Sequence, residues 1–241
     1  MSNIINSYRY ASTEIDGIIS YWPLSANSND SVGSNNGTDT SISYVAGGII
    51  GDQADFSAST SANISIADSP TLSFPLQPFS ISFWFEWDSI TTSMFFSKRD
   101  LTIASIIEYD FYYQAGFTYF RVFSGGTNAN FMRVQTGFLG TAVTGQLYNF
   151  IITYDGGTTN TGLNVYQNGA INTSPTPIHS TTGTFVSMTD TATPLMLGKI
   201  QIATTFSLNG KMSEAYLFDK ELTPSEALFV YNEGVAGRTL I

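Results

Sequence analysis

Ile18–Thr38 reads IISYWPLSANSNDSVGSNNGT, and this stretch decides the fold. It opens as a short apolar run, Ile18 to Leu24, and passes into a loop made almost wholly of Asn, Ser, Asp and Gly. Ile, Tyr and Trp suit a half-buried pleated strand. Asn, Asp, Ser and Gly suit tight turns, because their side chains bond the local backbone or tolerate left-handed angles. A strand running straight into such a loop predicts a β-rich chain. Loops of this kind also present carbonyl and amide oxygens of the type that surrounds a hard cation.

The same alternation of strand and turn continues downstream. In Phe79–Trp87, FSISFWFEW, the side chains of Phe79, Ile81, Phe83, Phe85 and Trp87 share one face, while Ser80, Ser82, Trp84 and Glu86 share the other. The first face predicts core, and Trp84 predicts that the second is partly covered. Further strands are expected at Met94–Ser97, Thr102–Tyr109, Phe111–Ala115, Thr118–Phe123, Asn130–Gln135, Tyr148–Tyr154, Leu163–Gln167, Leu195–Lys199 and Lys211–Phe218. Asn168-Gly169 between Leu163–Gln167 and Ala170–Thr173 predicts a tight hairpin. Thr223-Pro224-Ser225-Glu226 is a capping box with proline at the first helical position, so one late helix is expected. Its apolar stripe runs through Ala227, Leu228 and Tyr231, with Gly234 as the stop.

Composition narrows the function. With 241 residues the chain can bury a substantial core as a single domain without staples. A formal charge of −10, with nine basic residues scattered along the chain, argues against a nucleic-acid partner and fits calcium or neutral sugars. No cysteine is present, which removes disulfides, thiolate metal sites and a cysteine nucleophile. No apolar run is long enough to insert into a membrane. The first residues, MSNIINSYRYASTE, lack the basic region and apolar run of a signal peptide. Residues 1–16 are expected to form an N-terminal arm, with one β-domain over 17–241.

Nine blocks resemble, in order, the laminin-G-like, concanavalin-A-like jelly-roll family. They include Gly17–Leu24 with Asn29–Gly33, Gly51–Phe56, Ile66–Leu72, Phe79–Trp84, Phe96–Asp100, Ile152–Gly156, Val165–Gly169 and Leu208–Phe218 with Leu222–Glu226. The resemblance implies an all-β fold, a two-sheet antiparallel β-sandwich with one short C-terminal helix. It also implies a structural calcium ion shared by the acid of the first loop, Asp30, and the acid of the last strand, Glu214, with Gly33 and Asn36 in support. The family more often carries Asp where Glu214 stands.

Catalytic patterns are missing. Glucanases of this fold carry closely spaced acids on one strand, and a carboxylate pair about 5–5.5 Å apart serves retaining hydrolysis. Glu14-Ile15-Asp16 begins such a pattern without a third acid, and Glu214, Asp219 and Glu221 are too widely spaced. The single histidine, His179, lies in a Pro/Thr/Ser-rich segment read as a surface loop. No enzyme activity is expected.

Sugar recognition needs aromatic rings beside polar groups. The segment EYDFYYQAGFTYFRVF supplies Tyr109, Tyr112, Tyr113 and Tyr119, with Arg121 and Arg133 on neighbouring strands. Alternation sets Phe111 and Tyr113 on one face and Tyr112 on the other. The expectation is a non-catalytic recognition or structural module. Its setting is a phage virion, as capsid decoration, fibre or tail-associated protein, with a secreted bacterial adhesion module as the alternative. Its partners would be a glycan, a host-surface receptor or other virion proteins, and a homo-oligomer would suit a fibre.

Overall fold

The computed structural model describes residues 15–100, 106–174, 176–200 and 206–241. In chain order the strands are β1 (Ile18–Trp22), β2 (Gly37–Thr40), β3 (Ser43–Ala46), β4 (Asp52–Asp55), β5 (Asn63–Ile66), β6 (Phe79–Trp87), β7 (Ser93–Arg99) and β8 (Ile107–Gln114). They continue as β9 (Phe117–Phe123), β10 (Phe131–Gly137), β11 (Tyr148–Tyr154), β12 (Leu163–Gln167), β13 (Ala170–Ile171), β14 (Ile178–Thr182), β15 (Leu195–Leu197) and β16 (Gly210–Phe218), and helix α1 (Pro224–Val235) follows.

These strands form two eight-stranded sheets. The first runs β13-β12-β11-β6-β16-β4-β3, with β1 also on β16. The second runs β14-β10-β9-β8-β7-β15-β5-β2. Neighbours pair antiparallel, as in β6 with β11 and β9 with β10. The fold is a β-sandwich.

Its core is aromatic. Phe79, Ile81, Phe83, Phe85 and Trp87 of β6 all enter it, as the alternation requires, and meet Phe96, Phe111, Phe120 and Phe150. Phe83 lies 4.9 Å from Phe96 and Phe150 lies 5.3 Å from Phe111, so the two inner faces interlock through ring contacts.

The opposite face of β6 is covered by α1. Tyr231 stacks on Trp84 at 5.5 Å, and Leu222 donates its amide to Ser80 Oγ. Both halves of the capping box form, between Thr223 and Glu226. Two details of the helix depart from expectation. Leu228 is exposed, and Ala227, Val230 and Gly234 make the buried stripe. Gly234 is not the stop: a Cβ there would lie 2.6 Å from Trp84 Nε1, so the residue is small because the indole needs the space. The left-handed residue past the helix end is Gly237, at φ +69°.

Two strand boundaries also differ. Phe111–Ala115 and the end of Thr102–Tyr109 merge into the single strand β8, which runs through Asp110; residues 102–105 lie outside the described residues. His179 belongs to edge strand β14 rather than a loop, with Nδ1 2.8 Å from the carbonyl of Asn160. Of the expected arm, residues 1–14 lie outside the described residues; Ile15 is buried under α1 and Asp16 pairs with Lys220.

Candidate functional site

The loop after β1 closes on Asp30. Its Oδ1 accepts the amides of Tyr21, Val32 and Gly33, and its Oδ2 accepts that of Asn35, all at 2.9–3.0 Å. Partial burial alone would raise the Asp30 pKa; these amides outweigh it and hold the carboxyl below its ordinary value. Asn36 Oδ1 in turn accepts the amide of Asp30 at 2.9 Å. Glu214 sits in a bulge of β16 at φ +50°, buried, with Oε2 accepting the phenols of Tyr21 at 2.7 Å and Tyr216 at 3.0 Å. Those rings stack at 4.3 Å.

Of the residues expected to seat calcium, Gly33 and Asn36 meet Asp30 directly, and Glu214 is linked to it through Tyr21. The two carboxylates are joined through Tyr21, by its amide to Asp30 and its phenol to Glu214. Glycine is needed at position 33 because a Cβ would lie 2.6 Å from the carbonyl of Ile19 and 2.7 Å from Asp30 Oδ2.

Another acidic group has the spacing to hold a metal ion. Oxygens of Asp68, Glu108 and Asp190 lie within 4.8 Å of one another. A cation of the protein's own already reaches them. Lys98 Nζ donates to Asp68 Oδ1 at 2.7 Å, Glu108 Oε1 at 2.5 Å and the Thr191 carbonyl at 2.9 Å. Glu108 is fully buried, and that burial pushes its pKa up against the opposing pull of Lys98. Glu108 is thus the enclosed member of the cluster, whereas Asp68 and Asp190 are exposed.

The aromatic candidates divide between the two faces of the second sheet. Tyr109 and Tyr113 are corrected: both belong to the sandwich core, Tyr109 donating its phenol to the Leu72 carbonyl and Tyr113 packing 4.9 Å from Trp87. Tyr112, Tyr119 and Arg121 lie on the outer face. Along β9 and β10 burial alternates residue by residue, the pattern of a sheet with one face on the core and one toward solvent. Residues paired directly across antiparallel strands share a face. The outer face thus carries the row Tyr112–Tyr119–Gln135–Ile178 and beside it the row Asp110–Arg121–Arg133–Ser180.

These rows are held rigidly. Tyr112 and Tyr119 stack at 4.7 Å with planes 11° apart, and Phe206 packs edge-on against Tyr112 at 5.9 Å. Tyr112 is nearly buried, and Tyr119 is half-buried, with the Arg133 guanidinium over its ring at 6.0 Å. Arg121 grips Asp110 with Nε to Oδ1 at 2.7 Å and Nη2 to Oδ2 at 2.5 Å, and its guanidinium lies 4.8 Å over the Tyr112 ring. Burial opposes the Arg121 charge, but Asp110 reverses that and raises its pKa. Arg133 gives Nε to Ser180 Oγ at 3.0 Å. A separate cleft of about 380 Å³ lies near the start of β7, lined by Phe56, Ser59, Thr60, Thr92 and Asn209 among others. Phe56 is buried there, so the cleft offers hydroxyls without an open ring.

The model of the concanavalin A-like lectin/glucanases superfamily matches residues 58–227. The chain belongs to this superfamily. Among solved structures, this lectin-like chain is similar to domain 4 of an extracellular arabinanase from Geobacillus stearothermophilus, solved with arabinotriose, at TM-score 0.64 and 19% identity over 89% of this chain and 98% of that one. The binding domain of Paraclostridial Mosquitocidal Protein 1 gives TM-score 0.70 and 12% identity over 90% of this chain and 52% of that one. The botulinum neurotoxin serotype D ligand-binding domain, solved with N-acetylneuraminic acid, gives 0.62 and 14% over 90% and 51%. The superfamily member described here spans about half the length of those toxin domains. No curated protein sequence matches it. At these identities the likeness is one of fold. Among the described residues no helix is long and apolar enough to cross a membrane.

Proposed function

We propose that this chain is a non-catalytic glycan-binding module, and that the glycan lies on the outer face of the second sheet along β9 and β10. One observation carries the reading: the half-buried Tyr119 stands directly opposite Gln135, with Arg133 and Ser180 in the adjacent row. That grouping sets an aromatic side chain beside amide, guanidinium and hydroxyl groups, the mixture a sugar's C–H surface and hydroxyls call for. The neighbours that are binding domains, one with arabinotriose and one with N-acetylneuraminic acid, support the class of ligand.

The setting we propose is an exterior surface, on a phage virion or in a secreted assembly, facing a host glycan or receptor. Its support is composition: only 12% of residues are charged, so Ser, Thr, Asn and Gly carry the surface polarity. Lys98 already supplies a cation to Asp68 and Glu108 of the acidic cluster, so binding should not need calcium. The test is a glycan-array screen of the purified chain with calcium and again with EDTA. Selective signal in both arms supports the reading; silence in both from folded protein overturns it.

A further inference from the structure

We infer that the ligand of this face bears a carboxylate, and that Arg133 is the residue that selects it; the inference rests on the glycan-binding reading above. The whole chain is strongly acidic at −10, and an acidic surface by itself disfavours an anionic ligand. The outer face of β8 to β10 departs from that average. Arg121 and Arg133 face each other there, and Arg121 shares the acid Asp110 with Arg99 of neighbouring β7.

The register makes the excess specific. Arg121 and Arg133 stand directly opposite each other on β9 and β10, a placement that costs stability when like charges face one another. Asp110 offsets only one of them: its Oδ1 accepts Arg121 Nε, and its Oδ2 accepts Arg121 Nη2 and Arg99 Nη1. Arg133 forms no ion pair among the described residues, and its one hydrogen bond there uses Nε, to Ser180. Its two terminal nitrogens remain as a planar fork of donors on a half-open side chain.

A carboxylate fits that fork in two parallel charge-assisted hydrogen bonds and cancels the repulsion between the arginines. The Arg133 guanidinium carbon lies over the Tyr119 ring, 6.0 Å from its centroid. A sugar acid held by its carboxylate at Arg133 would therefore lie beside Tyr119 and offer hydroxyls to Gln135 opposite it. The ligand class is a uronic or nonulosonic acid within a glycan.

The test is titration of the full chain with a uronic acid oligosaccharide and a sialylated trisaccharide. Each is compared with its carboxyl-reduced counterpart and with a sulfated neutral oligosaccharide, at two salt concentrations. The carboxylated form should bind about tenfold or more tightly than its reduced counterpart. Arg133→Gln should erase that advantage, and Arg133→Lys should restore only part of it. Should Arg133→Gln fail to fold, the wild-type comparison decides alone. Equal affinity for acid and reduced forms overturns the inference and leaves the glycan-binding reading standing. A preference for the sulfated probe overturns the carboxylate assignment. No binding to any sugar by folded protein overturns both.

Discussion

Lys98 Nζ stands 2.5 Å from Glu108 Oε1, and neither side chain reaches solvent. The pair sits at one end of the second sheet, tied to Asp68 and to the loop carrying Thr191. Removing one member of a buried pair leaves an uncompensated charge. Lys98→Met should therefore cost about 3–5 kcal/mol, or a fall in Tm of roughly 10 °C for a domain of this size. Adding Glu108→Gln to it should recover part of the loss, which denaturant titration of the single and double variants would measure.

Stability should also depend on pH in two opposed ways. Glu214 is buried, and although the phenols of Tyr21 and Tyr216 oppose the effect, its pKa is raised. The folded state then holds a proton that the unfolded chain has lost, so stability falls as pH rises from the ordinary glutamate value through the raised one. Asp30 has the reverse sign, its pKa being lowered. Its contribution is present above the ordinary aspartate value and is lost as pH falls through the lowered one. Stability should peak between these limits, on the acid side of neutral. Thermal unfolding across pH 3–8 on wild type and Glu214→Gln checks this: the variant should flatten the decline above the peak and leave the acid limb in place.

Two glycines in and after the helix should respond differently. Gly234→Ala drives a methyl to 2.6 Å from the Trp84 indole, an overpacking cost of about 1–3 kcal/mol. Gly237→Ala meets no atom within 4 Å and costs only the left-handed backbone, about 1 kcal/mol. Equal losses in chemical denaturation would contradict the packing role assigned to Gly234.

What could be read in the sequence was what local chemistry determines. The two-residue period of Phe79–Trp87 placed its aromatic face in the core, and Asn168-Gly169 turns with both residues at positive φ, as a two-residue hairpin requires. Long-range partners could not be read. Asp110 looks like a strand breaker until Arg99 and Arg121, each 11 positions away, neutralise it inside β8. The phenol of Tyr21 reaches the Glu214 carboxylate from 193 positions away. Alternation alone separated Tyr112 from Tyr113, but Arg133 stands out only once the register sets it opposite Arg121.

The glycan-facing role of Tyr119 has its own consequence. Tyr119→Ala leaves the core face of β9 untouched, so unfolding should change little while affinity for an array hit falls by more than about 1 kcal/mol, the loss typical of an aromatic anchor. Titration calorimetry beside a thermal melt would separate the two effects.

The most direct measurement is an amide NMR titration of the chain with a glycan that scores on the array. The account predicts that shifts concentrate on Phe117–Phe123, Phe131–Gly137 and Ile178–Thr182. Shifts confined to the cleft around Ser59, Thr92 and Asn209 would contradict it and move the binding site to the loops beside β7.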